Sequence, residues 1–330
     1  MKFWIPILCF AALAALAVAQ SSEPPSPTDV PYTPEPRPLQ WRLGFDLGNA
    51  VILETPELNP ESNFKSAVEE AERILPHPDL SFGMALLPFI KVNVRRDQLL
   101  NPQKWTIMDL QARTRQRSFQ GIGLFMGSQM TTTEGGYHLV SVAAMPGNPF
   151  MAVRKEASGE NLIFGFAGPL KTKHVRTKFS ETKWENSLPV ENAADLPAGS
   201  EAAKQLLDDS TNAAPQRFLY GTSIEAFIRN RVSKLWLLNY SHPDMTMGTH
   251  PWGIFLEKPD GSLESLYVYT PSPSEQQYAA YFVASLDLNG DGNDELVIEA
   301  SYRLGTAFKV ISLSDGKYRE RYTSYYRGPA

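Results

Sequence analysis

Residues 284–298 read ASLDLNGDGNDELVI. The apolar Ala284-Ser285-Leu286 enters, a polar turn from Asp287 to Glu295 follows, and a second apolar run, Leu296-Val297-Ile298, leaves. Aliphatic runs on both sides, with Gly290 and Gly292 between them, specify two strands joined by a reversal rather than a helix. Oxygen donors alternate within the turn. Asp287, Asn289 and Asp291 offer side-chain oxygens at every second position, Asn293 its main-chain carbonyl, and Glu295 a closing carboxylate. Calcium takes about six to eight oxygens at roughly 2.3–2.6 Å, and a loop folded back on itself supplies them from few residues. Gly292 permits the reversal after the third donor because, without a Cβ, it adopts positive φ at little steric cost. Asp294 is expected to point outward. The predicted ligand set is therefore Asp287, Asn289, Asp291, Asn293 and Glu295, the cofactor is calcium, and the ion's role is structural rather than catalytic. A polar turn that merely solvates a hairpin is the competing reading.

An EF-hand begins with the same alternation but requires a bidentate Glu at its twelfth position and flanking helices. Counted from Asp287, that position is Ile298, and both flanks read as strands. The loop Asp287-Leu288-Asn289-Gly290-Asp291-Gly292-Asn293-Asp294-Glu295, followed by Leu296-Val297-Ile298, resembles the calcium loop of the FG-GAP and VCBS-type repeats found in integrin-like β-propellers and many bacterial surface proteins. The resemblance implies a metal loop between two strands of a blade. It is confined to the C-terminal part of the chain, and it places Glu where the family usually has Asp at the ninth loop position.

Around this loop, strand signals follow closely from residue 217 onward: 217–220, 234–240, 253–258, 263–269, 281–286, 295–302, 307–313 and 318–326. Pro259-Asp260-Gly261-Ser262 and Ser314-Asp315-Gly316-Lys317 carry Asp-Gly pairs suited to hairpins. No self-similar repeat lets blades be counted. Toward the N-terminus, residues 61–75 place Phe64, Ala67, Val68, Ala71 and Leu75 on one helical face, with Glu69, Glu70, Glu72 and Arg73 on the others. Short apolar runs at 86–94, 120–126, 137–144, 150–154 and 162–167 read as strands. A second helical stretch at 200–208 precedes the polar Asp209-Ser210-Thr211-Asn212, which makes 195–215 a candidate boundary. The fold class is therefore α+β and β-rich, with antiparallel sheets, few helices and a propeller-blade-like or sandwich-like C-terminal region. Its parts are a mixed α/β region over 41–215 and a β-rich region over 216–330.

Residues 1–19 have a basic start, an apolar run from Phe3 to Val18 and the small-residue site Ala17-Val18-Ala19, the pattern of a secretory signal peptide. Residues 20–40 carry prolines at 24, 25, 27, 31, 34, 36 and 38 and read as an extended tether. Cys9 is the single cysteine and lies inside the signal, so the mature chain forms no disulfide. These features place the protein in the periplasm or outside the cell, with no membrane span after the signal is removed. A net charge of −5 argues against general nucleic-acid binding.

Weaker constellations remain. His242-Pro243-Asp244-Met245-Thr246-Met247-Gly248-Thr249-His250 collects two imidazoles and two thioethers that suit copper. Arg113, Arg115 and Arg117 share a strand face, as do His174, Arg176 and Lys178; these faces guard a sheet edge or meet an anionic partner. Trp184, Trp236 and Trp252 either stack on sugars or fill core. The sequence has no His-Glu-x-x-His helix, Gly-x-Ser-x-Gly elbow, phosphate-binding glycine-lysine loop or dinucleotide fingerprint. The leading expectation is an exported calcium-binding structural or interaction module that contacts a protein or glycan. The alternatives are a secreted glycoside hydrolase with an unrecognised carboxylate pair and a periplasmic copper-binding protein using the 242–250 loop.

Overall fold

Period-two alternation dominates the chain, and it folds accordingly. The computed structural model describes residues 41–58, 61–74, 85–87, 104–126, 137–144, 151–152, 157–168, 170, 175–177, 179–181, 218–241, 252–269, 277–302 and 305–324. Among them, 67% are strand and 9% helix, so the β-rich antiparallel class is realised with helix nearly absent. The strands are β1 (Trp41–Asp46), β2 (Ala50–Glu54), β3 (Ala85–Leu87), β4 (Lys104–Asp109), β5 (Thr114–Ser118), β6 (Gly121–Met126), β7 (Tyr137–Ala144), β8 (Met151–Ala152) and β9 (Leu162–Phe166), then β10 (Phe179–Glu181), β11 (Phe218–Ile228), β12 (Arg231–Ser241), β13 (Trp252–Glu257) and β14 (Leu263–Tyr269), then β15 (Gln277–Leu286), β16 (Glu295–Tyr302), β17 (Gly305–Ser314) and β18 (Lys317–Thr323). The amphipathic helix α1 spans Glu61–Ile74.

Three sheets result: nine strands in the order β5-β4-β9-β1-β2-β7-β6-β3-β8, five in the order β10-β11-β12-β13-β14, and four in the order β15-β16-β17-β18. Turn chemistry sets the hairpins of the last two. Asp315 (φ 53) and Gly316 (φ 76) take the paired left-handed conformations that a two-residue hairpin requires. Arg229 (φ 50) and Asn230 (φ 63) do the same between β11 and β12 without a glycine. The Arg-bearing β5 is the outermost strand of the nine-stranded sheet, where charged side chains protect unpaired backbone.

Side-chain alternation assigns the layers. Leu296, Ile298, Ile311, Ala280 and Tyr318 of the four-stranded sheet pack against Ile224, Ala226, Leu235, Leu237, Trp252 and Ile254 of the five-stranded sheet. The opposite face of the four-stranded sheet meets the nine-stranded one. There the Phe308 ring lies 5.7 Å from that of Phe45, Tyr322 lies 6.0 Å from Trp41, and the Tyr322 hydroxyl bonds to the buried Glu54 carboxylate. The four-stranded sheet is thus the middle layer, which explains why Leu296, Val297, Ile298 and Ala300 of β16 are all buried. Residues 40–330 form one compact unit, and β10, from within the sequence-defined 41–215 region, belongs to the same sheet as β11 to β14.

Among the described residues, no helix is long and apolar enough to cross a membrane. The predicted signal, the proline-rich tether, the 200–208 helix, the 242–250 loop, Trp184, His174 and Lys178 lie outside the described residues.

Candidate metal loop

β15 and β16 are antiparallel partners, Leu286 opposite Glu295, so the polar turn 287–294 joins them at one end of the middle sheet. Leu288 points into the core and is 2% exposed, which pins the turn to the layer beneath. Gly290 (φ 74) and Gly292 (φ 86) supply the reversals. The Asp287 carboxylate faces backbone donors: Oδ1 accepts from Gly290 N at 2.6 Å and Asp291 N at 3.1 Å, and Oδ2 from Gly292 N at 3.1 Å. Asn289 Oδ1 accepts from Asp291 N at 2.8 Å, and Asp291 Oδ1 from Asn293 N at 2.8 Å.

Two carboxylates converge within this turn. The Asn289 amide nitrogen lies 3.0 Å from Asp291 Oδ2 and 2.7 Å from Glu295 Oε1, so an electropositive NH₂ occupies the point where both oxygens meet. Glu295 is 2% exposed, and its Oε2 accepts from Leu288 N at 2.6 Å. Burial pushes its carboxyl up to about 8; hydrogen bonds from Leu288 and Ser312 oppose the rise, and the negative Asp291 and Asp287 add to it.

Asn293 and Asp294 turn toward the five-stranded sheet. Asn293 Oδ1 accepts from Arg229 N at 2.9 Å, which leaves its main-chain carbonyl as the donor it could offer an ion. The expectation that Asp294 points outward is overturned, because its side chain is 1% exposed. Its Oδ2 accepts from Arg176 Nη1 at 2.6 Å, Phe227 N at 2.7 Å and Ser285 Oγ at 2.7 Å. The physical reason is alternation: Asp294 immediately precedes β16, and its side chain enters the junction with β11, where three donors satisfy a charge that could not otherwise be buried.

No family model, curated protein or solved structure matches the chain. The resemblance to FG-GAP and VCBS-type loops therefore stands on residues 287–295 themselves. Among the described residues, no group of three or more His, Cys, Asp or Glu side chains is gathered as a metal site. The predicted set instead mixes three carboxylates with two asparagines. Its oxygen chemistry is of the kind a hard cation takes, and in this structure the Asn289 amide NH₂ bonds to both the Asp291 and Glu295 carboxylates. Asp287, Asn289, Asp291, the Asn293 carbonyl and Glu295 are the residues that would hold such a cation.

Trp236 and Trp252 lie in the same sheet but in different apolar clusters. Trp252 is fully buried beside Tyr267 and Tyr269, with centroids at 5.2 and 5.4 Å, and is core. Trp236 donates from Nε1 to Glu257 Oε2 at 2.6 Å and lies under the Lys234 ammonium at 4.4 Å, so its ring face is already covered. Sequence reasoning missed Arg229 and the anchoring role of Arg176. Both act across more than fifty residues of chain on the same short turn.

Proposed function

We propose that this chain is an exported calcium-binding structural or interaction module of the cell envelope or extracellular space. Calcium in the 287–295 loop stiffens the β-rich C-terminal region for contact with a protein or glycan. The observation that carries the reading is the convergence of the Asp291 and Glu295 carboxylates on one point in a turn whose remaining donors are oxygens. A divalent cation at that point would attract both oxygens and offset the burial that disfavours a charged Glu295 carboxylate. The stacking of two consecutive meanders, β11 to β14 against β15 to β18, is also the relation between neighbouring propeller blades. Export is supported by the charged, apolar and small-residue pattern of residues 1–19.

The test is thermal unfolding in chelator and in millimolar calcium. At ten times the dissociation constant, linkage gives about 1.4 kcal/mol and a rise of about 2–4 °C. Asp291→Ala abolishes the rise, whereas Asp315→Asn, on an exposed hairpin, keeps it. A wild-type protein whose melting ignores calcium refutes the reading.

A further inference from the structure

We infer that Arg176 and Asp294 are positioning residues for this loop, and that through them ion occupancy and the conformation of the β11–β12 turn depend on each other. The inference rests on the calcium reading above. Asp294 stands between two predicted donors, the Asn293 carbonyl and the Glu295 carboxylate. Four residues fix it. Arg176, Phe227 and Ser285 all donate to Oδ2. The Asp294 N–H donates to the Phe227 carbonyl at 2.7 Å, and its own carbonyl accepts from Tyr318 Oη at 3.2 Å. Arg176 is itself registered on β15 by reciprocal backbone bonds with Ser285 at 3.0 and 2.9 Å. The main chain on both sides of Asp294 is therefore oriented by contacts that lie outside the loop.

The turn that follows β11 lies directly beside these contacts, because Phe227, which bonds to Asp294 through both its N–H and its carbonyl, stands two residues before Arg229. Arg229 and Asn230 are consecutive non-glycine residues at φ 50 and 63, a conformation L side chains resist. The turn is retained by Arg229 N to Asn293 Oδ1 at 2.9 Å, by Arg229 Nη2 to Glu264 Oε1 at 3.0 Å, and by Arg229 Nη2 to the Gly316 carbonyl at 3.0 Å. Because coupling between two equilibria is reciprocal, a turn that stabilises the loop's ion-binding form is stabilised by the ion in return.

Positioning and simple charge predict opposite signs at Arg176. As a bare positive charge near the loop, Arg176 repels calcium, so Arg176→Gln would tighten binding. As the residue that orients Asp294, its removal loosens binding. Calorimetric titration of the full chain with calcium, with folding checked by circular dichroism in chelator, is expected to show binding by wild type and binding about fivefold weaker or more by Arg176→Gln. Arg176→Lys, which keeps the charge but not the guanidinium geometry, is expected to weaken binding as well. If wild type binds while Arg176→Gln binds equally or more tightly, or Arg176→Lys matches wild type, the positioning role is overturned. If wild type itself does not bind, the calcium reading fails and the inference falls with it. Hydrogen exchange on wild type provides a test that needs no variant: calcium slows exchange at residues 225–230 as well as in the loop, and protection limited to 286–296 overturns the inference.

Discussion

Arg176 Nη1 lies 2.6 Å from Asp294 Oδ2, although 118 residues separate the two in sequence. The pair closes the junction between β11, β15 and the start of β16, and Asp294 is buried while Arg176 keeps a quarter of its side chain in solvent. An ion pair of this kind adds little over a well-packed apolar pair, but breaking one partner strands the other charge. Asp294→Ala is therefore expected to cost about 3–5 kcal/mol in urea unfolding carried out in chelator. Asp315→Asn, which keeps a side chain tolerant of positive φ on an exposed turn, stays within about 0.5 kcal/mol. A small effect at Asp294 would show that the junction is held by its apolar contacts alone.

Two glycines of the nine-stranded sheet region separate close approach from free space. A Cβ on Gly44 would meet the Ile52 carbonyl oxygen at 2.0 Å and Leu53 Cδ2 at 2.7 Å, backbone and core that cannot retreat. On Gly168 it would meet nothing within 4 Å. Gly44→Ala is expected to abolish soluble folded protein, and Gly168→Ala to leave the melting temperature within about 2 °C of wild type.

Two carboxyls away from the loop contribute to the pH dependence with opposite sign. Glu299, half-buried in the middle sheet, has its carboxyl pushed up by burial. A raised folded-state pKa contributes stability that is full below the ordinary carboxylate range and lost as pH climbs through the raised value. Glu257 is held below its ordinary value, chiefly by the Trp236 Nε1–H hydrogen bond and then by Lys234. Its contribution is present above the ordinary carboxylate range and lost as pH falls through the lowered value. Glu299→Gln is thus expected to raise stability at neutral pH and flatten the alkaline side of the profile, whereas Glu257→Gln flattens the acid side. Chemical unfolding at pH 3, 5, 7 and 8.5 separates them; a profile unchanged by both substitutions refutes both assignments.

Much of the fold could be read from sequence where apolar runs and Asp-Gly turns coincide. The 263–269 strand and the Asp315-Gly316 hairpin lie where the pattern places them. The helix at 61–74 likewise follows its 3.6-residue period. Legibility failed where a strand carries polar residues on a buried or edge face. β11 extends to Ile228 through Ser223 and Glu225, which interrupt the hydrophobic signal. Within the loop, donor alternation is a local property and was visible. The inward turn of Asp294 was not, since its partners Arg176, Phe227 and Ser285 come from three other places in the chain. Only tertiary structure brings them together, and no local period encodes it.

The middle sheet's second face yields a last prediction, about cooperativity. Phe308 is fully buried, its ring tilted 55° to that of Phe45. Trp41 packs edge-on against Tyr322 at 80°, and Tyr322 also bonds to Glu54 of β2. These contacts join β1 and β2, near the start of the described chain, to β17 and β18 near its end. Removing the Phe308 ring forfeits its transfer free energy and leaves a cavity between two sheets, so Phe308→Ala is expected to cost about 3–5 kcal/mol. If the layers fold as one unit, that loss reaches both. Hydrogen exchange of Phe308→Ala should then show β1, β2 and β9 losing protection together with β16 and β17, in a single melting transition. Protection of β1 and β9 that stays at the wild-type level while β16 and β17 open would show that the nine-stranded sheet is stable on its own and that the Phe45–Phe308 contact joins two independent bodies.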